Sequence, residues 1–345
     1  MAASAPRAAG LRWRLNPNHW RISSKLIVLL GGAVGLTIAA FLGYTYIALT
    51  ADATQRTRGE LALLAQQVLL RAADQVQANA DKLQTLALET SLATAAETAN
   101  QAAAGRSAAE FQAEVAQLDE AWKAEAASLE PLVAGLTNNA LSAQLRQFTQ
   151  DHPEFAEVFA TDANGLVVAL TARTGDYLQA DEGWWQAAYA DGAGALYVGE
   201  VEYDDSAGVW AVNVAAPLRS EGRVLGVLRG TVDISLLVET LQAVRVGETG
   251  QAILLDRAGV VLAADDPALA MQPLADADLL ALVQAGQPAT RADLAGVNGQ
   301  PAVIAVAPLT GAQAELLGWS LLMQQELSEV RAGIEGAVSQ ALLLA

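Results

Sequence analysis

The strongest constraint on this chain is an uncharged run of 24 residues at positions 26–49, LIVLLGGAVGLTIAAFLGYTYIAL. About 20 apolar helical residues span a bilayer core, so the run is long enough to cross with some tilt. Lipid offers the backbone no hydrogen-bond partners, and a helix satisfies every group within the segment. A cleaved signal peptide is the competing reading, but its apolar core would hold about 7–15 residues. Gly31, Gly32 and Gly35 lie inside the run, where small residues serve helix packing rather than a phosphate-binding loop. Arg7, Arg12, Arg14, Arg21 and Lys25 precede it with no acidic residue among them. The positive-inside rule then predicts a cytoplasmic basic tail over 1–25, an inner-membrane span over 26–49, and a periplasmic or extracellular remainder.

Beyond the run the charge reverses. The other fifteen basic side chains stand against all 38 acidic ones of the chain. Such a surface repels nucleic acid and anionic lipid and favours cationic or neutral partners, although solubility alone also accounts for acidity. The chain has no cysteine, which excludes disulfides, thiolate catalysis and zinc–cysteine sites. His19 and His152 are the only histidines, so a histidine metal cluster has too few ligands. A Ser–His–Asp relay would rest on His152 alone. No metal and no cofactor are expected.

Residues 50–103 read as one long helix, with Leu61, Leu64, Val68, Ala72, Val76, Leu83 and Leu86 at three- and four-residue steps. A helix that leaves a span unbroken can transmit movement to it; packing or dimerisation is the plainer role. Helices are also predicted over 108–130, interrupted at Pro131, and over 141–150. After Pro153 the period changes to that of strands. Strands are expected over 155–161 and 166–172, joined by a hairpin turn at Asn164-Gly165, where both residues tolerate positive φ. A helix over 181–189 follows, then strands over 195–203, 209–218 and 223–232, and a helix over 234–244. A smaller set succeeds it: strands over 251–256, 260–263, 290–295, 302–308 and 316–325. FATDANGLVVA in the first set is echoed by ILLDRAGVVLA in the second, implying two stacked sheet domains of one type. A closing helix over 326–338 leads to ALLLA, read as the start of a second span.

The densest chemistry lies in TARTGDYLQADEGWWQAAY, residues 171–189. On a helix, adjacent Trp184 and Trp185 point about 100° apart. Both are therefore not expected in one core face: one packs and the other lines a cleft. Aromatic faces beside carboxylates attract organic cations.

These residues resemble the double Cache sensor domains of bacterial chemoreceptors, sensor histidine kinases and cyclic-nucleotide signalling proteins. The resemblance runs over about 50–330. It is strongest in EVFATDANGLVVALTARTGDYLQADEGWWQAAY, GEVEYDDSAGVWAVNVAAPL, GRVLGVLRGTVDIS and VGETGQAILLDRAGVVLA. It implies an α+β fold: a long N-terminal helix and helical bundle over 50–150, followed by two PAS-like antiparallel-sheet (Cache) domains. These are a ligand-binding membrane-distal domain over 151–245 and a membrane-proximal one over 246–327. An exit helix over 328–345 would begin the second span.

Amino-acid sensors of this family carry a tyrosine, an arginine five residues on, and Trp-Tyr after one more. Here Tyr177, Trp184 and Trp185 take the aromatic places, with Trp185 replacing the second tyrosine. Glu182 stands where the arginine would grip a ligand carboxylate as a bidentate fork. The family's Tyr-x-Asp matches Tyr203 and Asp205, and its closing aspartate matches Asp233; these receive the ligand's ammonium. The resemblance therefore implies an amine or another organic cation more than an α-amino acid. Each residue also has a plainer role: Asp204 or Asp205 can cap the turn before Ser206-Ala207-Gly208, Asp233 can cap a helix, and Glu182 can be a solvated helix residue. The expectation is a non-enzymatic sensor that works as a homodimer in chemotaxis or two-component signalling. A periplasmic hydrolase with paired carboxylates and a protein-binding surface module are the alternatives.

Overall fold

A computed structural model describes residues 21–205 and 207–344. Residues 1–20, which hold His19 and most of the expected basic tail, and Ala345, at the end of the expected second span, lie outside the described residues. The chain divides into two compact units, Met1–Thr57 with Leu327–Ala345, and Arg58–Glu326.

Helix α1 (Ile22–Ala87) is continuous for 66 residues. Its apolar stretch is bare, with Leu29 73% and Phe41 67% exposed. Among the described residues it is the one helix long and apolar enough to cross a membrane. The hydroxyls of Thr37 and Thr45 donate to the carbonyls four residues back, so they present no free polar group. In the same unit Tyr46 Oη donates to Glu335 Oε1 at 3.2 Å.

The expected helix over 50–103 is broken. It ends at Ala87, turns at Leu88 and Glu89, and resumes as α2 (Thr90–Ala103). No Gly or Pro marks that break, which is why periodicity alone ran through it. Helices α3 (Ala108–Lys123), α4 (Glu130–Thr137) and α5 (Ala140–Asp151) follow. Pro131 opens α4 instead of interrupting a longer helix, because the first turn needs no N–H. Asn139 caps α5 by accepting from the Ser142 N–H at 2.7 Å.

The first sheet contains β1 (Phe155–Thr161), β2 (Val167–Leu170), β3 (Tyr197–Asp204), β4 (Val209–Ser220) and β5 (Arg223–Asp233). Its order is β2-β1-β5-β4-β3, antiparallel throughout. Between β2 and β3 lies short helix α6 (Gly183–Tyr189). One face of the sheet packs on α1: a Cβ on Gly230 would lie 2.8 Å from Phe155 and 3.0 Å from Leu83. The β1–β2 turn differs from the expected type. Only Gly165 has positive φ, at 79°, and the Asp162 carboxylate holds the turn by accepting from the N–H groups of Asn164 and Leu166.

After α7 (Ser235–Gln242), the second sheet comprises β6 (Gln251–Leu255), β7 (Val261–Ala263), β8 (Ala289–Ala295), β9 (Pro301–Pro308) and β10 (Ser320–Glu326). Helix α8 (Ala277–Gln284) joins β7 to β8, and α9 (Gly311–Leu316) precedes β10. The order β7-β6-β10-β9-β8 repeats the first sheet strand for strand. Helix α10 (Leu327–Leu344) closes the described chain.

Candidate functional site

Residues paired across antiparallel strands project to the same face. In the first sheet Glu157 pairs with Thr231 and Phe159 with Arg229. Asn213 also pairs with Thr231, and Ala215 with both Arg229 and Tyr197. A bulge after Val198 lets Glu202 and Asp204 join this face farther along β3. Polar side chains thus gather on the face turned away from α1.

Residues 171–192, including α6, cover that face. Trp184 meets Phe159 edge-on at 5.7 Å, and Trp185 stacks on Tyr189 at 4.5 Å. The Trp185 indole N–H donates to Thr161 Oγ1 at 2.9 Å. Behind them Trp122 of α3 packs against Tyr177 and donates to the Thr174 carbonyl. Asp119 of α3 accepts from the N–H groups of Tyr177 and Leu178, tying the helical region to the cover.

Arg229 is the electrostatic centre. Its guanidinium donates to Asp204 Oδ2 at 2.7 Å and lies 5.2 Å over the Trp184 ring and 5.4 Å over Phe159. Asp204 is buried and also accepts from Thr231 Oγ1. Glu157, only 2% exposed, faces the same space from β1. The Asn213 amide donates to Glu202. Asp204 pairs with Arg229, Glu157 is buried on the same face, Asp233 is half-buried and Glu202 is exposed, so this face is acidic on balance. Burial pushes the Glu182 carboxyl up, assisted by Asp176 and Asp181 and opposed by Arg229 and Lys123. Burial also raises the phenols of Tyr177 and Tyr197. At the rim, the hydrogen bond to Asp119 raises the Lys123 ammonium; Lys123 lies 2.7 Å from Asp119 and 3.4 Å from Asp176.

Two sheets of identical order behind a long helix are the setting of this face, and a family model described as the Cache domain matches residues 53–334, well over half of the chain. The chain belongs to the Cache domain family. Among solved Cache structures, the sensory domain of the Campylobacter jejuni chemoreceptor Tlp3 (CcmL) is 13% identical with a TM-score of 0.50, covering 84% of this chain and 99% of that one. The V. cholerae histidine kinase DctB sensor domain is 15% identical with a TM-score of 0.45, covering 78% and 98%. The ligand-binding domain of the Pseudomonas aeruginosa PAO1 chemoreceptor PctC, solved with GABA, is 19% identical with a TM-score of 0.41, covering 63% and 92%. No curated protein matches.

The first Cache sheet brings together part of the residue set expected from sequence. Trp184 and Trp185 are both buried in one cluster with Phe159, which corrects the expectation that only one would pack. A helix facing a sheet can present an apolar arc wider than the 100° between neighbours. Tyr177 is half-buried beside them. Glu182 is half-buried just before α6, and its side chain makes no cap bond. Tyr203 is half-exposed, edge-on to Trp210 at 5.5 Å. Asp205 is exposed, and its neighbour Asp204 is the buried carboxylate. Asp233 ends the row of Arg229 and Thr231 on β5, and its Oδ1 accepts from the Ser235 N–H at 2.7 Å, one residue ahead of Ile234, the N-cap position of α7. Arg229, Asp204, Glu157 and Asn213 were missed. The available signal was a charged or amide residue inside an otherwise apolar strand, as in VLRGTV and FAEVFA.

Proposed function

We propose that the chain is the extracytoplasmic input module of a membrane-anchored receptor, and that its first Cache domain, residues 151–245, binds a small molecule carrying an ammonium group. The observation that carries this reading is the acidic balance of the face, where Glu157, Glu202 and Asp233 share the side of the sheet that holds the Arg229–Asp204 pair. A ligand ammonium there gains charge pairing and charge-assisted hydrogen bonds to carboxylates. The helix Ile22–Ala87 and the basic residues before its apolar stretch support an anchored receptor with the sensor outside the cytoplasm. Ligand binding shifts the receptor only through differential affinity for two states. The long helix is the element suited to carry such a shift, in a homodimer, to a signalling partner.

A second reading has its own observation. Buried Nε of Arg229 has no hydrogen-bond partner, so the guanidinium retains a donor for a ligand carboxylate. It would do from β5 what Glu182 cannot do from the cover, and the ligand would then be an amino acid. Calorimetric titration of the full chain in nanodiscs with matched amines and amino acids separates the two. Arg229→Lys keeps the charge and loses the fork: amine affinity should hold, whereas amino-acid affinity should fall about tenfold or more. Failure of both ligand classes to bind folded protein would sink the proposal.

A further inference from the structure

The second sheet keeps the register of the first while losing its charges. Ile253 pairs with Leu322 where Phe159 pairs with Arg229, and Gln251 pairs with Gln324 where Glu157 pairs with Thr231. Ile304, opposite Gln324, takes the position of Asn213. The carboxylate and the guanidinium of the first face are thus replaced by an amide and a leucine.

A cavity of about 600 Å³ is lined by Val261, Leu269, Pro273, Leu274, Leu279 and Val297, among others. Asp276 is the one ionisable residue in the lining, and its carboxylate is engaged in accepting from the N–H groups of Asp278 and Leu279. The wall at Val297 is fixed to the sheet: its N–H donates to Gln324 Oε1 at 2.9 Å, and Gln324 is 2% exposed. Gly296 permits that approach, since a Cβ there would lie 2.5 Å from the same oxygen. Ligand sites are mostly apolar cavities of about 300–1,000 Å³, and this one falls within that range.

We propose that this cavity is a second ligand site, taking a small, uncharged, largely apolar molecule of the aromatic or branched aliphatic class. A charged ligand would be desolvated there without a counter-ion. The first face and this cavity then make one chain responsive to two chemically opposite ligands.

Benzophenone, a neutral aromatic ketone that inserts into nearby C–H bonds under light, is a direct probe. The full chain in nanodiscs would be irradiated with increasing benzophenone and mapped by peptide mass spectrometry. The expected result is saturable labelling of peptides covering 261–279 and 295–299, suppressed by excess diphenyl ether, which is neutral, similar in shape and has no aliphatic C–H for the excited ketone to attack. Leu269→Trp and Val297→Trp, each filling the cavity, should abolish that labelling while thermal unfolding stays near wild type. Labelling of the 26–49 peptide, rising linearly with probe, reports delivery. The inference is overturned if the cavity peptides label no more than exposed loops do, if their labelling rises linearly and resists diphenyl ether, or if a folded cavity-filling variant labels like wild type.

Discussion

Replacing Arg229 with methionine tests whether the buried ion pair organises the sensor face. The guanidinium and Asp204 carboxylate are 2.7 Å apart, with side chains 12% and 5% exposed. At an effective dielectric of about 20, unit charges at that distance attract by about 6 kcal/mol, and desolvation of both ions opposes this. Methionine retains an apolar stem against Phe159 and Trp184, so the change isolates the charge. It strands a buried carboxylate without its counter-ion, and the expected loss is about 3–5 kcal/mol. That is a large share of the stability of a typical domain, about 5–15 kcal/mol. Adding Asp204→Asn in the same chain removes the stranded charge and should recover more than half of the loss. Urea unfolding followed by tryptophan emission reads this directly, because Trp122, Trp184 and Trp185 share the cluster. A single-variant loss below about 1 kcal/mol, or a double variant that is merely additive, would refute the reasoning.

Three further outcomes follow from local geometry. The Glu182 carboxyl is held above its ordinary value of 4.5, so its protonated form favours the fold; that contribution is full below pH 4.5 and is lost as pH rises through the raised value. Glu182→Gln should therefore stabilise the chain at neutral pH, with the gain shrinking toward pH 4 in a series of thermal melts. Gly165→Ala places a Cβ 2.4 Å from the Ala180 nitrogen at φ 79°; a loss above about 2 kcal/mol, a melting shift on the order of 5 °C, is expected. Trp185→Phe deletes the hydrogen bond to Thr161 and should cost about 1 kcal/mol in urea unfolding.

Much of the fold was legible because its signals are local. The uncharged run, the change of period after Pro153 and the echo of FATDANGLVVA in ILLDRAGVVLA are read within a few residues, and the two sheets have matching strand order. What sequence pattern missed depends on tertiary contacts. The break at Leu88 has no breaker residue. The β1–β2 turn takes its shape from the Asp162 side chain, which a dipeptide rule for Asn-Gly does not see. Of the candidate site, the cover was legible, where Tyr177, Trp184 and Trp185 crowd a short stretch. Its sheet half was not: Glu157, Asp204, Asn213 and Arg229 lie on four strands, and only register brings them together. Asp204 rather than Asp205 is buried because the β3 bulge shifts the alternation by one residue.

The central claim is that the first Cache face binds a molecule through an ammonium group. Its most direct test is calorimetric titration of the full chain in nanodiscs with matched sets of amines, amino acids and simple carboxylates, repeated with Glu157→Gln. The account predicts saturable binding of ammonium-bearing ligands, weakened about tenfold or more when the buried carboxylate is neutralised. Binding of carboxylates lacking an amine with equal affinity, or ammonium binding unaffected by Glu157→Gln, would contradict it.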